Sequence, residues 1–97
     1  MKIFNRELLD KFIDKHANVE GALQHWLNIV DKAKWESHYE LKMDFPSADY
    51  VGKGRYIFNI QGNNYRLVAI VLFNERYVRI RFIGTHAEYD KINCKTI

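Results

Sequence analysis

Three runs rich in β-branched and aromatic residues, Arg55–Ile60, Tyr65–Phe73 and Arg76–Ile83, are separated only by Gln61-Gly62-Asn63-Asn64 and Asn74-Glu75. Such residues favour strands, and gaps this short leave no room for a crossover, so neighbouring strands must run antiparallel. A four-residue turn at 61–64 places Asn59 opposite Arg66. A tight turn at 74–75 places Ile70 opposite Arg79, Val68 opposite Arg81 and Arg66 opposite Ile83. Because side chains alternate across a strand, one face collects Tyr56, Phe58, Ile60, Tyr65, Leu67, Ala69, Val71, Phe73, Val78, Ile80 and Phe82 and is almost wholly apolar. The other collects Arg55, Ile57, Asn59, Arg66, Val68, Tyr77, Arg79, Arg81 and Ile83. A one-residue slip would turn the apolar set into water, so the pattern specifies the register. In that register Arg66 and Arg81 are diagonal cross-strand neighbours, placed to grip one phosphate with two guanidinium groups.

The apolar face needs a cover, and the N-terminal third supplies it. Asn5 is the expected cap of a helix with Leu8, Leu9, Phe12, Ile13 and His16 on one stripe; Asn18 is the expected cap of a second, carrying Val19, Ala22, Leu23, Trp26, Leu27, Val30 and Ala33. Residues 1–4 can add a short strand. From Lys34 to Gly54 the periodicity fails, and Pro46, Ser47 and Gly52-Lys53-Gly54 mark turns, so this stretch reads as a loop layer with short elements. The expected fold is α+β: a small antiparallel twisted sheet on an N-terminal helical hairpin, with a short C-terminal helix. At 97 residues it forms one domain over residues 1–97.

The third strand runs into Thr85-His86-Ala87-Glu88-Tyr89-Asp90-Lys91. Thr85 and Glu88 have capping-box spacing, which makes this a helix start with His86 at its first position. Tyr89 and Asp90 follow three and four residues on, the spacing that brings side chains to one helical face. Unpaired N–H groups and the positive end of the helix dipole suit a phosphate there. Arg66, Arg81, His86, Tyr89 and Asp90 are therefore the candidates for chemistry. Lys53, Arg55, Asn59, Arg79 and Lys91 are candidates for contact with a polyanion. The competing reading is plain: a sheet with one buried face needs a polar opposite face, and capping boxes punctuate helices of every function.

Other chemistries lack their signatures. There is no Cys or His pair at zinc spacing, no phosphate loop and no serine elbow, and Asp44 and Asp49 around Phe45-Pro46-Ser47 are weak grounds for a metal. No metal and no cofactor are expected. His16 and His25 read as structural or surface residues, His38 stays undecided, and Trp26 and Trp35 read as core. The longest apolar run, Leu67–Phe73, is too short for a bilayer, Met1-Lys2-Ile3-Phe4 is unlike a signal peptide, and Cys94 has no partner for a disulfide. The expectation is a cytoplasmic protein with no membrane partner. A net charge of +3 and a pI near 9.0 agree with an acidic partner.

Arg55-Tyr-Ile-Phe-Asn59, Asn63-x-x-Arg66-Leu-Val-Ala69, and Arg81 ahead of Thr85-His86-x-Glu88-Tyr89-Asp90, together with Asp44-Phe45-Pro46-Ser47-x-Asp49, resemble the HigB-type toxins of toxin–antitoxin systems. The resemblance spans about residues 40–91. It implies a RelE-like fold and an mRNA interferase that cleaves messenger RNA on the ribosome. It also implies neutralisation by a HigA-type helix-turn-helix antitoxin, with DNA reached only through the antitoxin complex. Arg66, Arg81 and Tyr89 correspond to phosphate-binding and catalytic residues of such nucleases; His86 and Asp90 remain open as acid or base. The chemistry would be attack by an RNA 2′-hydroxyl on its own phosphate, with arginines stabilising the charge that accumulates. The alternative is an RNA- or ribosome-binding module, or a protein-interaction module, that uses the same basic face without cutting.

Overall fold

The computed structural model describes all residues from Met1 to Ile97. A short strand β1 (Lys2–Phe4) leads into helix α1 (Glu7–Lys15), a single 3-10 turn at Ala17–Val19 and helix α2 (Glu20–Lys32). The stretch read as irregular holds a seven-residue helix α3 (His38–Asp44) and strand β2 (Asp49–Gly52). Then come β3 (Arg55–Ile60), β4 (Tyr65–Leu72), β5 (Tyr77–Thr85) and the one-turn helix α4 (His86–Tyr89). The five strands form one sheet in the order β1-β5-β4-β3-β2. Its β3 to β5 part is antiparallel, as expected; β2 adds an antiparallel strand beyond β3, and β1 joins β5 in parallel, so the sheet is mixed.

Helices α1 and α2 form because their apolar residues recur at helical spacing and meet the sheet. Leu9 and Phe12 of α1 are buried, as are Leu23, Trp26 and Val30 of α2 with Val19 just ahead of it. Trp26 packs edge-on against Phe58 of β3, ring centroids 5.4 Å apart. Neither expected asparagine cap is used. Asn5 takes φ +70°, a left-handed conformation that asparagine tolerates, and its Nδ2 donates to the Ile80 carbonyl at 3.0 Å, tying the turn before α1 to β5. Asn18 donates instead to the Tyr65 hydroxyl at 3.2 Å. Between α2 and β2, Leu41 is fully buried, and the buried Trp35 donates its indole N–H to Asp44 at 2.8 Å. Asp44 is thus a partner of the tryptophan.

The β3–β4 register is the one read from the turn, with Asn59 opposite Arg66. In β4–β5 it holds only halfway. Ile70 faces Arg79 as expected, but Ala69 faces Ile80 while Val68 faces Phe82, so Arg81 is the extra residue of a β-bulge. Beyond it every face assignment on β5 reverses. Arg66 faces Gly84 instead of Ile83, and Leu67 faces Ile83, which packs against the core. Phe82, expected in the core, crosses to the Arg66 side. The diagonal Arg66–Arg81 pair therefore does not form.

That second face is also less open than alternation implied. Ile57 and Val68 are only 6% and 0% exposed, yet they lie outside the main core cluster. The chain after α4 returns to this side, where both Nε and Nη2 of Arg55 donate to the Ile97 oxygen, at 2.8 and 2.6 Å.

Candidate active site

The expected junction between β5 and α4 is present. Thr85 Oγ1 accepts from the Glu88 N–H at 3.2 Å, and the Glu88 carboxylate accepts from the Thr85 N–H at 2.8 Å. These bonds hold the Glu88 carboxyl below the usual range, with the Thr85 backbone N–H the largest cause. The reciprocal cap stops the strand and starts α4, which fixes the direction in which His86 and Tyr89 project.

Two candidates, Arg66 and Tyr89, touch at this corner, and a third, His86, stands three residues before Tyr89 on α4. The Arg66 guanidinium lies over the Tyr89 ring, 4.8 Å from its centroid, and Phe82 approaches the same ring at 6.4 Å. The Arg66 Nε and the His86 Nε2 are both buried without a hydrogen-bond partner. Trp26 Nε1 in the core is unpartnered too, but Arg66 and His86 are the polar side chains of this corner, where an unpaired donor or acceptor is costly unless a ligand meets it. The Tyr89 hydroxyl donates to Cys94 Sγ at 3.3 Å. Burial is the main cause that raises the Tyr89 pKa; Cys94 adds to the rise through its hydrogen bond and charge, and Arg66 opposes it. The phenol is therefore protonated at neutral pH, and Tyr89 is equipped to donate a proton or a hydrogen bond rather than to accept a proton.

The other candidates stand apart from this trio. Arg81, carried sideways by the bulge, is exposed and lines a groove with Lys11 and Lys15 of α1, His16 just after it, and Glu88. Lys11, Lys15 and Arg81 give that groove three cationic side chains against one carboxylate, Glu88. Asp90 is exposed and has no ion pair or side-chain hydrogen bond, so it orients neither the imidazole nor an arginine. Arg79 stacks on Phe4 and Tyr77, at 5.2 and 5.7 Å, on the β1 side. Arg55 is occupied by the C-terminal segment. Asn59 is half-buried opposite Arg66, Lys53 sits exposed at a turn with φ +52°, and Lys91 is exposed just after α4. No group of three or more His, Cys, Asp or Glu side chains is arranged to hold a metal.

Sequence reasoning missed three contributors. Phe82 and Cys94 contact Tyr89, and Gly84 makes room for Phe82 and Glu88: a Cβ there would come within 2.5 Å of the Phe82 ring and 3.1 Å of Glu88 Oε1. An isolated glycine inside a strand pattern signals such a close approach, and Gly84 carried that signal.

The family model described as HigB_toxin, the RelE-like toxic component of a toxin–antitoxin system, matches residues 19–92. The chain belongs to the HigB toxin family. Its curated relatives include the mRNA interferase toxin HigB of Escherichia coli strain K12, 33% identical over 93 residues, covering 93% of this chain and 88% of the relative. An mRNA interferase HigB from Escherichia coli O6:H1 is 27% identical over 95 residues, covering 95% of this chain and 91% of the relative. Alignments of this extent take in the N-terminal helices as well as the sheet, and the HigB resemblance read from the sheet and the α4 junction extends over nearly the whole chain.

Proposed function

We propose that this chain is the toxin of a toxin–antitoxin pair and acts as an mRNA endoribonuclease, with the Arg66–His86–Tyr89 corner as its catalytic centre. What supports the reading is the pair of buried, unpartnered nitrogens on Arg66 and His86 beside a phenol kept protonated, in a chain of the HigB family. In this reading the RNA 2′-hydroxyl attacks the adjacent phosphorus and the 5′-oxygen leaves, giving a 2′,3′-cyclic phosphate and a free 5′-hydroxyl. Arg66 neutralises charge on the pentavalent phosphate, the electrostatic contribution that usually dominates such steps. Tyr89 donates to the phosphate or to the leaving oxygen, and His86 exchanges a proton with the 2′-hydroxyl or the leaving group. Asp90 acts at most through the local field.

Arg81 keeps a role in this reading, but a different one from a forked partner of Arg66. With Lys11 and Lys15 it flanks the site on the α1 side and draws the RNA strand in through its phosphates. The substrate is messenger RNA on the ribosome, and a HigA-type antitoxin is the neutralising partner. Lys53, Asn59, Arg79 and Lys91 contribute to RNA contact, and Arg55 does so once it is released from Ile97.

The test is steady-state cleavage of ribosome-bound messenger RNA by Arg66→Ala, Arg81→Ala and wild type. Arg66→Ala is expected to lower kcat by about a hundredfold or more, the size of a lost oxyanion donor. Arg81→Ala is expected to raise KM and flatten the salt dependence with a much smaller change in kcat. If both variants cut at the wild-type rate, the corner is not the active site and the non-catalytic binding reading replaces it.

A further inference from the structure

A cavity of about 580 Å³ lies away from the proposed nuclease corner, and none of the catalytic candidates lines it. Its walls come from the approach to α3, from β2 and β3, and from the β4–β5 turn. Three rings line it in mutual contact: His38 stacks on Tyr56 at 5.7 Å, Tyr50 lies 5.0 Å from Tyr56, and His38 and Tyr50 meet edge-on at 6.2 Å. The cage is held in place. His38 Nδ1 and the Tyr56 hydroxyl share a 2.8 Å hydrogen bond, and the Tyr50 hydroxyl accepts from the Gly54 N–H at 3.3 Å.

Its charge is opposite to that of the rest of the chain. Glu36 and Glu75 line the cavity and no lysine or arginine does, although the protein carries a net charge of +3. Burial and the neighbouring Tyr50 push the Tyr56 pKa up, so that phenol adds no negative charge of its own. Arg76 does not line the cavity and pairs with Glu36 at 3.8 Å between two exposed side chains. Aromatic faces backed by carboxylates attract a cation through the ring quadrupoles and direct charge, whereas they repel phosphate. The surroundings indicate what carries that cation. The large hydrophobic side chains that stand exposed are Tyr39 and Met43 on α3, one helical turn apart with Tyr39 6.1 Å from His38, and Tyr50 on β2. Clustered exposed apolar side chains beside a pocket mark a surface for another polypeptide.

We infer that the cavity walled by His38, Tyr50, Tyr56, Glu36 and Glu75 is a docking pocket for an arginine or lysine side chain of a partner polypeptide, whose apolar residues lie on Tyr39 and Met43. The inference does not depend on the nuclease assignment. It joins the two observations that the cleavage chemistry leaves unused: an acidic aromatic cage and the patch of exposed apolar side chains next to it.

The experiment is an NMR titration of the whole chain with three probes: acetyl-Leu-Arg-Leu-amide, the same tripeptide with neutral citrulline in place of arginine, and a uridine dinucleotide. The arginine peptide should shift the ring resonances of His38, Tyr50 and Tyr56 saturably and bind about fivefold or more tightly than the citrulline peptide, the scale of a cation–π contact. Tyr50→Ala and Glu36→Gln with Glu75→Gln should each weaken it by a similar factor; these side chains are exposed enough for the fold to survive, which the unchanged resonances of Leu67 and Val78 would confirm. Equal binding of the citrulline peptide would show that charge is not what the pocket reads. Shifts of the cage by the dinucleotide alone would make it an RNA contact, and unshifted ring resonances with the arginine peptide at saturating solubility would overturn the pocket altogether.

Discussion

Tyr89 concentrates the residue-scale argument, because its protonation state is set by what touches it. Burial raises its pKa first, the Cys94 contact raises it further, and Arg66 offsets part of the rise. A group whose pKa is raised keeps its proton to higher pH, so a donor role is fully available at neutral pH and is lost only as pH rises through the raised value. Cleavage by wild type is therefore expected to persist through mildly alkaline solution and fall beyond the ordinary tyrosine range. Tyr89→Phe should abolish that alkaline limb and slow cleavage by about 10²–10³-fold, as for other lost proton donors. A pH–rate profile of the two proteins checks it; an unchanged profile in Tyr89→Phe would remove the phenol from the chemistry. Gly84 is the second case. Adding a Cβ there drives the Phe82 ring or Glu88 aside, so Gly84→Ala should cost about 1–3 kcal/mol in denaturant unfolding and lower cleavage. Shortening the ring, as Phe82→Leu in the same chain, should restore part of the stability, and additive losses would show that the two positions do not conflict.

At the scale of elements, α4 is too short to be stable by itself, so its existence rests on the cap and on packing against β5. Thr85→Ala should cost about 1 kcal/mol by thermal or urea unfolding and reduce cleavage more than its distance from the chemistry implies, because it loosens His86 and Tyr89 together. Acid should act in the same direction. The Glu88 pKa is lowered in the fold, so its contribution is present above the ordinary glutamate range and is lost as pH falls through the lowered value. The bulge in β5 is the other decisive element. It sends Arg81 to the α1 side and brings Phe82 onto Tyr89, which turns a row of equivalent surface arginines into two different environments.

For the whole molecule, one core serves two working ends. Trp26, Phe58, Leu67 and Ile80 are buried in a single cluster between the helices and the sheet. Phe58→Ala should cost about 3–5 kcal/mol in denaturant unfolding and abolish activity through folding, a larger loss of stability than the about 1 kcal/mol expected of Thr85→Ala. No helix is long and apolar enough to cross a membrane. Expression of the chain alone is expected to arrest growth of a bacterial host and depress translation, with relief from a co-expressed antitoxin encoded beside it. Normal growth with confirmed folded protein would sink the toxin reading. Purified enzyme should cut in excess chelator and leave cyclic-phosphate ends. Loss of cleavage in chelator, restored by a divalent ion, would replace the metal-free mechanism.

What the sequence determined by itself are features that depend on neighbours along the chain or on strict alternation. The β3–β4 register follows from a four-residue turn and a period of two; the Thr85–Glu88 cap follows from a three-residue spacing; the buried stripe of α2 follows from helical periodicity. The HigB resemblance was legible because those local patterns carry it. Tertiary structure alone decided the rest. A bulge needs no signature residue when a strand can bend to follow its cover, so the transfer of Arg81 and Phe82 between faces became visible only once β5 met α1 and α4. Asn5 and Asn18 have the chemistry of caps, yet each found a better partner far along the chain, in Ile80 and Tyr65. The pairing of Tyr89 with Cys94 and of Arg55 with Ile97, and the closing of His38, Tyr50 and Tyr56 into one cage, join residues from separate elements. No periodicity encodes such contacts, because they depend on where the packed layers bring distant segments together.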